Sequence, residues 1–504
     1  MLSAILAGVF SFCASYAGPM FVPDSWSYWQ GSVSLLQGGG YKNFFPSDFH
    51  HVLVAHWPPL FSLYLAGVQW VFGISGFSLI LSLVFIAVCS AFVWTYLFCS
   101  FCGKENHWVR FVFAASIAAL ASYFSRFLIS DPLSILLVGI VFMCTVRFFS
   151  PKSPVYPANP VKPEVFFILF ATVLAASMLV RTVNVLLIPA IWLAALFFAR
   201  TSGWHRPVAV CFVLSALSFL IYYGIFSIFA EPGNNGHKIH FGAHTLETFR
   251  YVKEFFLGLG NSFLLGVGDG FSLALMVLVL VYAFWFVVSG GFRFNEDKIR
   301  MALPLGVSLL VQVVGVFCLT HIVTYVGSPF HFDERYLWPL TMSLAGACGV
   351  VITYFPVSFR KASDFKKVLF PAAFALVCAF QVFSAGKYAF AGVVAHNPPP
   401  VLLEPHKFFL DWIWRIPRNH AIRRGYVHRL PTRLPNGTVV VPPFGPFWWQ
   451  KDADEDVRNF MWTYGQRALP LFEKVKPTDP RRSANPRPTV THGGKELRLF
   501  ENTP

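Results

Sequence analysis

This chain cannot fold as an ordinary water-soluble protein, because apolar runs of membrane-crossing length follow one another through most of it. A helix needs about 20 apolar residues to cross the hydrocarbon core. Runs near that length lie at 2–22, 76–101, 108–124, 132–149, 165–181, 184–200, 207–230, 263–289, 302–325, 337–356 and 368–391. Only 12% of the 504 residues are charged, about half of the roughly 25% found in soluble domains. The pattern predicts an all-α polytopic membrane protein with about 11 transmembrane helices. Residues 1–391 are read as the transmembrane body, with a first external loop of interfacial helices at 23–75. Residues 392–504 are read as a small extracytoplasmic α/β region whose end is Pro-rich and extended.

Lys and Arg set the orientation. With the N-terminus cytoplasmic, the inner loops become 104–110, 151–163, 200–206, 293–300 and 360–367, and each carries at least two basic residues. The formal charge of +15 is then a loop signal, and no nucleic-acid partner is expected. The segment "WPPLFSLYLAGVQWVFG", 57–73, is short for a crossing, and counting it as one would invert every later loop. It reads as a helix lying in the outer interface, with its Trp and Tyr rings at headgroup depth. The first apolar run has no basic stretch before it and is read as a retained helix. The nine cysteines sit in or beside apolar runs, with no zinc or disulfide spacing.

The residues suited to chemistry gather on one side. Asp24, His50, His51, His56, Arg126, Asp131, Arg181, His237, Lys238, Asp333, Glu334 and Arg335 all fall at or beyond the outer ends of spans. The site is therefore expected outside. Asp24 and Tyr28, four apart, share a face if a helix starts at Ser25, and Asp24 also fits as that helix's N-cap. Asp131 in "SDPL" fits as an N-cap with Pro132 at the first helical position, or as a second functional acid. Arginine near hydrocarbon costs on the order of 3 kcal/mol at a helix centre. Arg126, Arg181 and Arg335 therefore read either as snorkelling to headgroups or as phosphate ligands, since a guanidinium grips phosphate in two places. Asn184 is placed to hydrogen-bond near Arg181. Lys238 is a further phosphate contact or a solvated loop residue. The histidines at 50, 51 and 56 lack the i, i+4 spacing of a helical metal pair, so no metal site and no cofactor are expected, although a divalent ion remains compatible.

Four stretches, in order, carry a resemblance. "PDSWSYWQGSVSLLQGGGY" is similar to the first external loop of the GT-C superfamily, multi-spanning glycosyltransferases that take sugar from a polyprenyl-phosphate carrier. "HWPPLFSLYLAGVQWVFG" resembles the Pro-Pro-Leu interfacial helix of aminoarabinose transferases and their bacterial relatives. "SRFLISDPLSILLV" resembles the Arg-to-acid stretch before the fourth span in those enzymes and in protein O-mannosyltransferases. "RYLWPL" resembles the opening of a late span. The likeness covers about residues 1–350. Ser25 stands where several relatives carry a second acid, which argues against the metal-dependent oligosaccharyltransferase branch.

The resemblance implies an inverting glycosyltransferase with an external site in the cell (inner) membrane, periplasmic in a bacterium. Its donor would be a polyprenyl-phosphate-linked sugar, and its acceptor a lipid, polysaccharide or protein hydroxyl. It implies Asp24 as general base, Asp131 as a second site carboxylate orienting the acceptor or the base, and Arg126, Arg181, Arg335 and Lys238 at the donor phosphate. Tyr28, Tyr336 and His56 would position substrate. A transporter, or a flippase or polymerase of carrier-linked glycans, is the competing class. The sequence shows no paired halves with broken helices at matching positions, the mark of many transporters.

Overall fold

Within the described residues most of the apolar runs become packed helices in the computed structural model. The structure describes residues 1–16, 23–36, 38, 40–41, 58–73, 76–99, 107–149, 163–202, 205–229, 239–241, 248–265, 310–311, 313–315, 323–325, 334–346, 364–394, 432–433, 439–440, 490–492 and 495–497. The elements are α1 (Leu2–Ser15), α2 (Pro23–Leu36), α3 (Leu60–Phe72), α4 (Gly76–Cys99), α5 (His107–Phe124), α6 (Asp131–Phe149) and α7 (Pro163–Val180). A 3-10 turn, Thr182–Leu186, leads into α8 (Leu187–Ser202) and α9 (His205–Phe229). Strand β1 (Ile239–Phe241) and α10 (Thr248–Leu264) follow, then β2 (Val323–Tyr325), a 3-10 turn at Glu334–Leu337 running into helical residues 338–346, and α11 (Asp364–Val394).

Helix α1 packs on α4, α5 and α11 through a face of small residues: Ser3, Ala7, Ser11, Ala14 and Ser15. Small side chains let apolar helices approach closely where no water drives them together. Gly139 does the same between α6 and α4, because a Cβ there would lie 2.8 Å from Nε1 of the buried Trp94. That indole N–H donates to the Ile135 carbonyl at 3.1 Å.

Helices α2 and α3 form a second, more polar contact. Ser62 Oγ donates to the Tyr28 carbonyl at 2.9 Å, and Gln69 Nε2 donates to Ser32 Oγ at 3.2 Å. Gly31 leaves room for the Tyr41 ring, which a Cβ would meet at 2.6 Å. Burial pushes the Tyr41 hydroxyl well above its ordinary range, with a hydrogen bond to Ser62 acting the other way. At its far end α3 leaves Trp70, Val71 and Phe72 exposed, as a helix at an apolar interface does.

Among the described residues, Phe77–Cys99, His107–Phe124 and Val208–Phe229 are long and apolar enough to cross a membrane by length and composition. Phe85, Phe92, Phe111, Phe212, Leu220, Tyr223 and Ile228 point outward from these helices. Such a belt of large apolar side chains suits hydrocarbon rather than water.

Two expectations are corrected. The run 302–325 does not end as helix: Val323, Thr324 and Tyr325, all strand-forming residues, pair antiparallel with Ile239–Phe241. Helix α10 begins fifteen residues before the expected span at 263, so the stretch read as outer loop contains a helix. Its signal is the apolar spacing Val252, Phe255, Phe256, Leu259 and Phe263. Phe255 and Leu259 bury against Leu337 and Leu340, so α10 supports the turn that carries Arg335. In the tail, Thr432–Arg433 pairs with Val439–Val440 and Val490–His492 with Lys495–Leu497. The helix expected in "DEDVRNFMWTYGQRAL" lies outside the described residues.

Candidate active site

The break between α7 and α8 builds the site. Helix α7 stops at Val180, and Arg181 is extended, with φ −148° and ψ 123°, before the 3-10 turn begins. That kink turns the Arg181 side chain toward the first residue of α6. Its guanidinium forms an ion pair with the Asp131 carboxylate. The acid is 3% exposed and the arginine 16%, so the pair is largely withdrawn from solvent.

Asp131 is not the helix cap. The Ser130 carbonyl accepts the first intrahelical bond, from Ser134 N at 2.9 Å, which puts Ser130 at the N-cap position and Asp131 inside the helix. The Asp131 carboxylate, at the positive end of α6, goes to Arg181 instead.

Asn184 secures the other side. Its Nδ2 donates to Ser134 Oγ and to the Ser177 carbonyl, both at 2.8 Å, joining α6 to the end of α7. A small, partly open cleft lies over this arrangement, lined by Asp131, Ser134, Arg181, Asn184 and Arg335 with Val183, Leu186, Leu187, Pro339 and Leu340. Among the described residues, two guanidiniums and one carboxylate stand beside an apolar wall here. Such a surface fits an anionic headgroup attached to an apolar chain.

Arg126 sits elsewhere. It is 5% exposed and boxed by three rings, 3.9 Å from the centre of Tyr123, 4.6 Å from Phe127 and 3.8 Å from Tyr388. Its Nε and Nη1 meet no hydrogen-bond acceptor, and it does not line the cleft. Tyr28 is 3% exposed; its ring meets Phe61 edge-on at 5.0 Å and its hydroxyl lies 2.8 Å from Ser130 Oγ. Asp24 falls in the first turn of α2 and Tyr336 in the turn Glu334–Leu337, while their side chains lie outside the described residues. His56 and Lys238 lie wholly outside them. Among the described residues, no three His, Cys, Asp or Glu side chains gather in one place.

The sequence reading thus placed Asp131, Arg181 and Arg335 on one side, and the structure joins them at one cleft. Ser130 and Ser134 went unremarked, since isolated serines in an apolar chain carry no pattern of their own. The one available signal was Ser130 directly before Asp-Pro, a common helix opening.

No protein-family model matches the chain, and no curated protein matches it. Among solved structures it is similar to ArnT from Cupriavidus metallidurans bound to undecaprenyl phosphate, at 14% identity and a TM-score of 0.47, over 84% of this chain and 74% of that one. It is similar to the Archaeoglobus fulgidus oligosaccharyltransferase tethered to an acceptor peptide, at 14% identity and 0.42, over 79% of this chain and 55% of that one. It is also similar to the arabinosyltransferase EmbB from Mycobacterium smegmatis, at 13% identity and 0.40, over 79% and 41%.

Proposed function

We propose that the chain is an integral membrane glycosyltransferase of the GT-C type. It would take a sugar from a polyprenyl-phosphate donor and join it, with inversion, to an acceptor hydroxyl on the extracytoplasmic face. The observation that carries this reading is the cleft where the Asp131–Arg181 pair and Arg335 meet beside an apolar wall.

In this reaction the acceptor oxygen attacks the anomeric carbon while its proton passes to the Asp24 carboxylate. The bond from that carbon to the phosphate oxygen breaks, and polyprenyl phosphate leaves with the electron pair. Arg181 and Arg335 hold the phosphate and stabilise the charge that develops on it. Asp131 keeps Arg181 aimed at the cleft. Lys238 adds a further cation at the phosphate, and Tyr336 and His56 orient the sugars. Arg126 lies away from the cleft and is assigned no phosphate contact here. Residues 1–391 form the catalytic body, and 392–504 an extracytoplasmic appendage.

The test is transfer of labelled sugar from a carrier-linked donor by protein in nanodiscs. Asp24→Asn is expected to lower turnover at least about a hundredfold, the usual contribution of a general base, with the protein still inserted and monodisperse. Normal turnover by that variant removes Asp24 from the mechanism. Flux of carrier-linked sugar across proteoliposomes with no glycosidic product favours the transporter reading instead.

A further inference from the structure

Tyr28 has no free face for a substrate, yet it stands between the two acids of the proposed reaction. It lies one helical turn after Asp24 in α2, on the same side of the helix. Its hydroxyl reaches Ser130, the residue before Asp131. Ser130 opens α6 by accepting the Ser134 amide at 2.9 Å, and Ser134 Oγ accepts from Asn184, which also donates to Ser177 in α7. Tyr28, Ser130, Ser134, Asn184 and Ser177 are all 5% exposed or less. They make one buried polar chain from α2 through α6 to the kink that presents Arg181.

The near end of this chain is also fixed. The Tyr28 carbonyl accepts from Ser62 of α3, and the ring is held edge-on by Phe61. A phenol clamped at its backbone and its ring cannot follow a moving α6, so its hydrogen bond sets the spacing between α2 and the Asp131 turn. A hydrogen bond between two buried groups in an apolar interior is costly to open.

We infer that Tyr28 is a positioning residue acting through Ser130: it fixes the Asp131–Arg181 pair at a set separation from the helix that carries Asp24, and does not itself touch substrate. This rests on the transferase reading above. The general reason such a link matters is that misplacing reacting groups by about 1 Å costs on the order of a hundredfold in rate.

The test compares Tyr28→Phe, Ser130→Ala, their double variant and Ser130→Thr in the same nanodisc assay with carrier-linked sugar. Each of the first two is expected to lower kcat about tenfold, the worth of one hydrogen bond made useful in the transition state. Donor KM is expected to stay within about twofold, as uniform binding is untouched. The double variant is expected to be no slower than either single one, because one link is lost in each case. Ser130→Thr keeps the hydroxyl and is expected to keep most of the rate. Losses that multiply, a rise in donor KM at constant kcat, or full turnover by Tyr28→Phe each overturn the inference. Should Tyr28→Phe fail to fold, the Ala and Thr variants at Ser130 decide it by rate alone. A wild-type protein that transfers no sugar removes the transferase reading and this inference with it. Wild-type transfer with unchanged variants removes the inference only.

Discussion

At Asp131 and Arg181 the same two charges serve two ends. Each would be expensive alone in a largely dry site, and each is tolerable because the other is there. Removing one partner of a buried pair typically costs about 3–5 kcal/mol, while removing both often costs far less. Asp131→Asn is therefore expected to lower the thermal midpoint in detergent strongly, and Asp131→Asn with Arg181→Gln to recover most of it. A double variant as unstable as the single one would show that the pair's charges are not what matters. Arg126 solves the same problem differently, with three aromatic faces in place of a carboxylate. Contacts of this kind contribute about 2 kcal/mol each when desolvated. From sequence the two arginines look alike, both single cations at the outer end of an apolar run. Their partners are 50 residues away for Arg181 and as far as Tyr388 for Arg126, so no local pattern distinguishes them.

Among elements, the helices were legible wherever a long apolar run ended at a polar or Pro-containing stretch. The runs 108–124, 132–149 and 207–230 match α5, α6 and α9 within two residues at each end. Helix α10 is not marked by a continuous apolar run, because its apolar positions recur at helical spacing among polar ones. The contact between α4 and α6 was equally hidden, as it depends on one glycine. Gly139→Val is expected to cost about 1–3 kcal/mol, since the added methyls meet Trp94 and Val93 with no room to turn aside. Thermal unfolding in detergent checks this, and the same change at Gly224, where a Cβ meets nothing, is expected to leave packing unaffected.

Across the whole molecule, polar groups inside the apolar body tie together parts of the chain remote in sequence. Gln381 in α11 accepts from Ser116 of α5 and donates to the Phe263 carbonyl at the end of α10 at 2.7 Å. Replacing it by leucine leaves a hydroxyl and a carbonyl without their partner, at about 1–3 kcal/mol each. Gln381→Leu is expected to lower the thermal midpoint and to loosen α11 first, seen as faster amide exchange along α11 than along α4. Equal protection in both helices would show that the apolar contacts alone hold α11 in place. The outward belt of Phe, Leu and Ile on the described helices suits hydrocarbon rather than water.

The sequence by itself determined that the described body is helical and apolar and where helices such as α5, α6 and α9 run. Hydrophobic run length and loop charge are local quantities, readable residue by residue. Only the tertiary structure decided that Asp131 pairs with Arg181 rather than capping its helix, that Arg335 joins them, and that Tyr28 reaches Ser130. Those are contacts between segments that meet only after packing, where a few ångströms decide which polar group finds a partner and which would be left without one.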